Sequence, residues 1–217
     1  IHDQLKNRIK DERYVAEPRA LIIAPTRELV MQIAKDALLL TKYTDLHVQT
    51  LVGGIDYQKQ QDQLEQKIVD IVVATPGRLI DFVGSKKIDL SYVETLVIDE
   101  ADRMLDMGFI PQVRQIIAAC PKREYRQTML YSATFTDDIR ALADRWALDP
   151  VRIEVASEQM TTENVDQKVY MVTTEEKYKL LYNLILRDGS ERVIVFTNRR
   201  DQARRLADSL HRNGIET

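Results

Sequence analysis

The sequence predicts a parallel α/β fold, in which buried strands alternate with amphipathic helices. Three observations predict it. Short apolar runs such as Leu21-Ile22-Ile23-Ala24 and Ile71-Val72-Val73-Ala74 are continuous, the pattern of strands covered on both faces. Stretches with helical spacing lie between the runs. Polar clusters of threonine, glycine and arginine follow the runs, where a parallel sheet presents the carboxyl ends of its strands.

The elements follow in order. Strands are expected at Leu21–Ala24, Val48–Val52, Ile71–Ala74, Leu96–Ile98, Thr128–Tyr131 and Val151–Val155. Val113, Ile116, Ile117 and Cys120 recur at helical spacing, with Pro111 near the start and Pro121 just past the end. Ile139, Leu142, Ala143 and Trp146 repeat the pattern behind Thr136 as cap, with Asp137 and Asp138 in the first turn. A polar, aperiodic stretch at 157–166 reads as a linker. The alternation then restarts with strands at Val169–Val172 and Val193–Phe196. Helices are expected at Lys177–Leu186 and around Ala203–Leu210, the second ended by Gly214. The expected domains are 1–156, the linker 157–166, and the beginning of a second domain at 167–217.

Composition excludes several classes. Of 217 residues 44% are hydrophobic and 30% charged, which fits a globular chain folding in water. No apolar run reaches the length of a membrane span, and a membrane partner is not expected. The single Cys120 rules out an intrachain disulfide, and with only three scattered histidines a zinc site is not expected. A reducing cytoplasm is the natural compartment. A net charge of −3 gives no global support for nucleic-acid binding, so any such binding must rest on local devices.

The local devices are the polar clusters. Asp99-Glu100-Ala101-Asp102 stands directly behind an apolar strand. Two readings fit it equally: acids that meet magnesium and the attacking water of a nucleotide hydrolase, or a strand end beginning a solvated helix. Pro25-Thr26-Arg27-Glu28-Leu29, Gly53-Gly54 and Thr75-Pro76-Gly77-Arg78-Leu79 follow three other strands. Thr75 suits an N-cap and Pro76 a first helical position, and a helix start with a nearby arginine can hold phosphate. Any one cluster reads as a well-capped corner, but three along one sheet edge favour a polyanion. Ser132-Ala133-Thr134 either begins a turn or relays hydrogen bonds beside Asp102.

Taken together and in this order, the five clusters resemble the DEAD-box RNA helicase family, and Val193 to Asn198 resembles that family's first motif in its second domain. Asp102 to Phe109, Glu17 to Ile23 and Lys177 to Asn183 look most like its bacterial RhlB-type branch. The resemblance covers nearly the whole chain. It implies a RecA-like parallel sheet domain followed by the start of a second RecA-like domain, with ATP and Mg2+ as cofactors. Asp99 would hold the magnesium through water, and Glu100 would orient and deprotonate the water attacking the γ-phosphate. Asp102 would pair with Ser132 and Thr134, coupling the nucleotide state to RNA. Pro25, Thr26, Arg27, Gly53, Gly54, Thr75, Pro76, Gly77 and Arg78 would grip the RNA sugar-phosphate backbone, extended by Thr197 and Arg199. Backbone contacts are sequence-independent, and contacts to 2′-hydroxyls favour RNA over DNA. RNA-decay proteins are the partners implied.

The chain departs from the family in two ways. No Gly-Lys-Ser or Gly-Lys-Thr occurs in it, so the phosphate loop is absent, as are the adenine-reading motif and the late motifs of the second domain. One explanation is a naturally stripped RNA-binding or scaffold module without ATPase activity. The other is part of a longer helicase, inactive alone, and physics favours it: omitting a central strand exposes apolar edges and leaves ladder groups unpaired. Leu5 and Ile9 also read as the tail of a helix under way. A DNA-directed helicase of the same superfamily is a third reading, disfavoured by the intact threonine-proline-glycine-arginine and serine-alanine-threonine motifs.

Overall fold

The computed structural model describes residues 14–155, 166–189 and 192–217. The expected helix tail at Leu5 and Ile9, and the linker at 157–166 apart from Asp166, lie outside the described residues. The chain divides into two compact units, Ile1–Ile153 and Glu154–Thr217.

The first unit is built on a five-stranded, wholly parallel sheet. Its strands are β1 (Ala20–Ile23), β2 (Val48–Leu51), β3 (Ile71–Ala74), β4 (Thr95–Ile98) and β5 (Gln127–Leu130), in spatial order β2-β3-β1-β4-β5. The helices are α1 (Arg27–Leu40), α2 (Tyr57–Gln66), α3 (Pro76–Gly84), α4 (Ala101–Asp106), α5 (Ile110–Ala119) and α6 (Asp137–Trp146). The order reverses at β1, which pairs with β3 on one side and β4 on the other; such a reversal opens a crevice at the carboxyl edge.

The continuous apolar runs are explained by burial on both faces. Leu21, Ile23, Val72, Leu96 and Ile98 point into one core with Leu79, Phe82, Met104, Val113, Ile116 and Leu142 of α3 to α6. Their alternates Ala20, Ile22, Val73 and Val97 point into a second core with Val30 and Ala34 of α1. All four residues of β1 are buried. Phe82 is fully buried, and cutting such a ring to alanine costs about 3–5 kcal/mol.

Local signals set the helix starts. The Thr26 hydroxyl accepts the Leu29 N–H at 3.3 Å and caps α1. Thr136 caps α6 through the Ile139 N–H at 3.4 Å, and a cap of this kind is worth about 1 kcal/mol. Pro111 falls in the first turn of α5, where its missing N–H is not needed. Among the described residues no helix is long and apolar enough to cross a membrane.

Three expected strands do not form. Val151–Val155, Val169–Val172 and Val193–Phe196 carry no strand ladder, and Val151, Ile153 and Phe196 are 85%, 85% and 91% exposed. Their apolar pattern is that of a strand, but a strand exists only against a hydrogen-bonded neighbour, and none of the described residues supplies one. At β5 the same effect shows as partial burial: it pairs with β4 and ends the sheet, and none of its four residues is buried. A groove of about 1460 Å³ runs beside it, walled by β5 residues Thr128 to Leu130, by Arg140 and Ala143 of α6, and by Val151 and Ile153.

In the second unit, α7 (Lys177–Asp188) ends at Gly189 in the left-handed region, and α8 is Arg200–Arg212. The Tyr178 hydroxyl donates to the Ser209 carbonyl at 3.0 Å and the Tyr182 hydroxyl to that of Asn213 at 3.2 Å, so α7 satisfies the carbonyls at the end of α8.

Candidate nucleotide and nucleic-acid site

Within the first unit the conspicuous residues lie at the carboxyl edge of the sheet, in two groups that meet at β1. The acids occupy the β4–β5 half. Asp99 follows β4 directly, its N–H donating to the Ile23 carbonyl of β1 at 2.9 Å. Its Oδ1 accepts the Glu100 N–H at 2.9 Å. Burial pushes the Asp99 carboxyl above its ordinary value; the Glu100 N–H pulls it back and the Glu100 charge adds to the rise. Glu100 has φ 49° and ψ 52°, a left-handed conformation that costs a residue with a side chain about 1–2 kcal/mol. Strain of this kind gathers at functional sites. Glu100 Oε2 accepts Arg103 Nη1 at 3.1 Å. The Ala101 N–H donates to the Tyr131 carbonyl at 3.0 Å, tying the start of α4 to the end of β5.

Asp102 closes this group. Its Oδ2 accepts both the Thr134 N–H at 3.0 Å and the Thr134 hydroxyl at 2.9 Å, and its Oδ1 accepts the Arg103 N–H at 3.0 Å. Burial raises its carboxyl, but the bonds from Thr134, Arg103 and Ser132 outweigh it, and the group lies below its ordinary value. The Ser132 hydroxyl also donates to the Thr134 carbonyl at 2.7 Å, so the Ser132–Thr134 turn is braced against itself and against Asp102.

The glycine and arginine loops occupy the β2-β3-β1 half. Pro25 is buried, Thr26 is half-buried as the cap of α1, and Arg27 is exposed. Gly54 has φ 74°, a backbone conformation that favours glycine, and a Cβ placed on it would lie 3.0 Å from Arg27 Nη1, the tip of an exposed side chain. The loops after β1 and β2 thus touch. Thr75 is the N-cap of α3 and Pro76 its first residue, yet the Thr75 hydroxyl makes no capping bond. Gly77 is exposed with open space around it. Arg78 reaches back to the Gly53–Gly54 loop, donating from Nη2 to the Ile55 carbonyl at 3.0 Å. Its Nη1 is buried without a partner. In the second unit the Thr197 hydroxyl donates to the Arg199 carbonyl at 3.0 Å; both residues are exposed at the start of α8.

Two residues here carried no sequence signal. Gln60, on a helix composed almost wholly of polar residues, is buried. Its Oε1 accepts the Val52 N–H at 2.8 Å and its Nε2 donates toward the Val52, Ile55 and Asp56 carbonyls at 3.3, 3.2 and 3.1 Å. One amide thus binds both ends of the Gly53–Gly54 loop. Tyr57 stacks on Phe82 and lies under the Arg78 guanidinium. A buried glutamine one turn into a polar helix that opens on a tyrosine reads from sequence as a solvated amide, and only the packing of α2 against the loop distinguishes it.

Among the described residues no group of three or more metal-binding side chains occurs. The donor set nevertheless fits a hydrated divalent ion, because magnesium keeps several waters and takes one or two carboxylates plus phosphate oxygens. Asp99, half-buried with its carboxyl raised beside a second acid, is the residue such an ion would suit. Cys120 is no rival centre: burial, against the pull of the Arg126 charge, pushes its thiol up to about 12.

Known proteins resemble this chain in sequence and fold. Residues 4–142 match the family model described as DEAD/DEAH box helicase. The ATP-dependent RNA helicase RhlB of Pseudomonas aeruginosa (strain UCBPP-PA14) is 58% identical over 94% of this chain and 51% of its own length. The protein of the same name from Shewanella sp. (strain MR-4) is 41% identical over 98% of this chain and 49% of its own. The chain therefore spans about half the length of the curated relatives it matches. The crystal structure of the yeast DEAD-box splicing factor Prp28 superposes with a TM-score of 0.62 at 32% identity, covering 96% of this chain and 49% of that one. The parallel sheet with flanking helices is RecA-like, and the chain belongs to the DEAD/DEAH box helicase family.

Proposed function

We propose that the full-length gene product carrying this chain is an ATP-dependent RNA helicase that remodels short duplexes, with ATP at the β4–β5 half of the sheet edge and RNA at the β2-β3-β1 half. The observation that carries this reading is the bond from the Asp99 N–H to the Ile23 carbonyl, which sets the acids one strand away from the Pro25–Arg27 loop. Asp99 would hold hydrated magnesium, which when bound supplies charge neutralisation at the transferring phosphoryl group. Glu100 takes the proton of the attacking water, the ordinary role of a positioned carboxylate. Asp102 and Thr134 link the acid helix to the turn after β5, so a change at the nucleotide is felt in that turn.

Thr26, Arg27, Gly53, Gly54, Thr75, Pro76, Gly77 and Arg78 form the surface for the RNA backbone, with Thr197 and Arg199 as contacts on the second unit. The gene product works by ATP-driven closure of two RecA-like domains, the first at 1–156 and the second beginning at 167. This requires both ligands to favour the closed form. RNA-decay proteins as partners and a cytoplasmic location are part of the same reading.

Residues 1–217 contain no Gly-Lys-Ser or Gly-Lys-Thr to cradle phosphates, and we propose that they are inactive as an isolated piece. The test is hydrolysis of radiolabelled ATP, with and without RNA, by the full-length gene product and by residues 1–217 side by side. RNA-stimulated turnover by the former alone is expected. Turnover by residues 1–217 would overturn their inactivity. RNA binding without turnover in the full-length protein would favour a non-catalytic scaffold instead.

A further inference from the structure

The Gly53–Gly54 loop has no regular structure, yet it is fixed from two directions. Gln60 holds its ends from within its own helix. From the neighbouring element comes Arg78, whose Nη2 bonds the Ile55 carbonyl one residue past Gly54. What holds Arg78 is Tyr57. The Tyr57 ring stacks on Phe82 with centroids 4.4 Å apart and planes 28° apart, and its hydroxyl shares a 2.7 Å hydrogen bond with Ser85 Oγ. Above the ring sits the Arg78 guanidinium, its central carbon 5.4 Å from the centroid. Phe82 is fully buried, so the place of the ring is inherited from the core rather than from the loop. Arg78 Nη1 is buried with no hydrogen-bond partner, so the guanidinium is turned inward, and the face of the ring offers it a compensating attraction.

We propose that Tyr57 is a positioning residue of the nucleic-acid surface. Anchored on Phe82, its ring holds the Arg78 guanidinium against the Ile55 carbonyl and so locks the Gly53–Gly54 loop to the Thr75–Arg78 turn. The inference rests on the reading of these two loops as RNA contacts. It makes them one rigid platform, able to meet a backbone without reorganisation on binding. Tyr57 itself touches no RNA; its effect passes through Arg78.

The test is fluorescence anisotropy of a labelled single-stranded oligouridine with the full-length gene product and a non-hydrolysable ATP analogue. The variants are Tyr57→Leu, Tyr57→Phe, Ser85→Ala, Arg78→Ala and the double change Tyr57→Leu with Arg78→Ala. Tyr57→Leu is expected to weaken RNA binding about three- to tenfold, because leucine keeps bulk and lacks the face that attracts a cation. Tyr57→Phe loses only an exposed hydrogen bond, and Ser85→Ala loses that bond together with the hydroxyl's contacts to the Asp81 and Phe82 carbonyls at the end of α3; both leave the ring on Phe82 and are expected to stay within about twofold of wild type. The double variant is expected to bind no more weakly than Arg78→Ala alone, because the two residues act as one unit. Affinity for the ATP analogue stays the same throughout.

Wild-type affinity in Tyr57→Leu, with or without a lowered melting temperature, overturns the proposal. So does a double variant weakened by the full product of the single effects. If Tyr57→Leu does not fold, Tyr57→Met supplies the same comparison. A wild-type protein that binds no RNA sinks the reading of the loops and this proposal with it; RNA binding indifferent to Tyr57 sinks this proposal alone.

Discussion

The two halves of the sheet edge differ in how far they are finished by the chain's own bonds. On the β2-β3-β1 half the loops are tied to each other: Arg78 to Ile55, Arg27 against Gly54, Gln60 to both ends of the loop after β2. On the β4–β5 half the acids are set by Ile23, Tyr131 and Thr134, but among the described residues no strand pairs with the outer edge of β5, and a large groove lies beside it. The contrast teaches that a site can be positioned before it is enclosed. A backbone-gripping surface needs only rigid loops, whereas phosphoryl transfer also needs a cradle and exclusion of water.

The largest expected effect breaks the acid half alone. Glu100→Gln in the full-length gene product keeps the shape of the side chain and removes the base. Turnover of ATP should fall by about 100-fold or more, with ATP binding still measurable by equilibrium dialysis. Unchanged turnover would mean that another group takes the proton. A second change breaks the loop half. Gly54→Val puts a branched side chain at φ 74° and against Arg27 Nη1, a strain of about 1–2 kcal/mol before the clash. RNA affinity measured by anisotropy should drop about tenfold or more across unrelated sequences, while Glu100-dependent basal hydrolysis persists.

A third measurement sharpens the contrast without mutation. The N–H groups of Gln127 in β5 and of Tyr131 just past it face the β4 side, so by strand alternation those of Thr128 and Leu130 face the other side, where no described residue forms a strand. In residues 1–217 the Thr128 and Leu130 amides should exchange with deuterium at least about tenfold faster than those of Leu21 and Ile22, which lie in a strand paired on both sides. Equal protection would show that the edge is covered in solution.

The smallest effect concerns Asp102. Its carboxyl is lowered in the folded state from an ordinary value of 3.8, so the stability it contributes is present above that value and is lost as pH falls through the lowered one. Asp102→Asn should therefore flatten the acid end of the stability curve and leave the neutral region's pH dependence alone, as followed by thermal melts between pH 3 and pH 7. An unchanged acid limb would remove Asp102 as a contributor.

How much of this was legible in the sequence follows from what each residue needs in order to be recognised. Strands β1, β3 and β4 announce themselves because burial on both faces demands an unbroken apolar run. Val151–Val155 alternates apolar and charged residues, a strand signal of another kind, and forms no ladder, because composition records a strand's surroundings but cannot supply its neighbour. The acids and the glycine loop were visible as motifs and Thr136 as a cap, since those roles need particular side chains at particular offsets; Thr75, expected to cap as well, holds the N-cap position without a hydroxyl bond, and the cap made by Thr26 was not singled out. Tyr57 and Gln60 were not visible. Their importance comes from contacts with Phe82, Arg78 and the carbonyls of the 52–56 loop, and nothing in a polar helix marks which of its amides is buried.

The division of the edge between two ligands is the central claim, and hydrogen exchange on the full-length gene product tests it most directly. Amides are compared with no ligand, with oligouridine alone, and with a non-hydrolysable ATP analogue and magnesium alone. RNA is expected to slow exchange at 25–28, 53–56 and 75–78, and the nucleotide at 99–102, each leaving the other set little changed. Protection of 99–102 by RNA alone, or of the 53–56 and 75–78 loops by nucleotide alone, would contradict it.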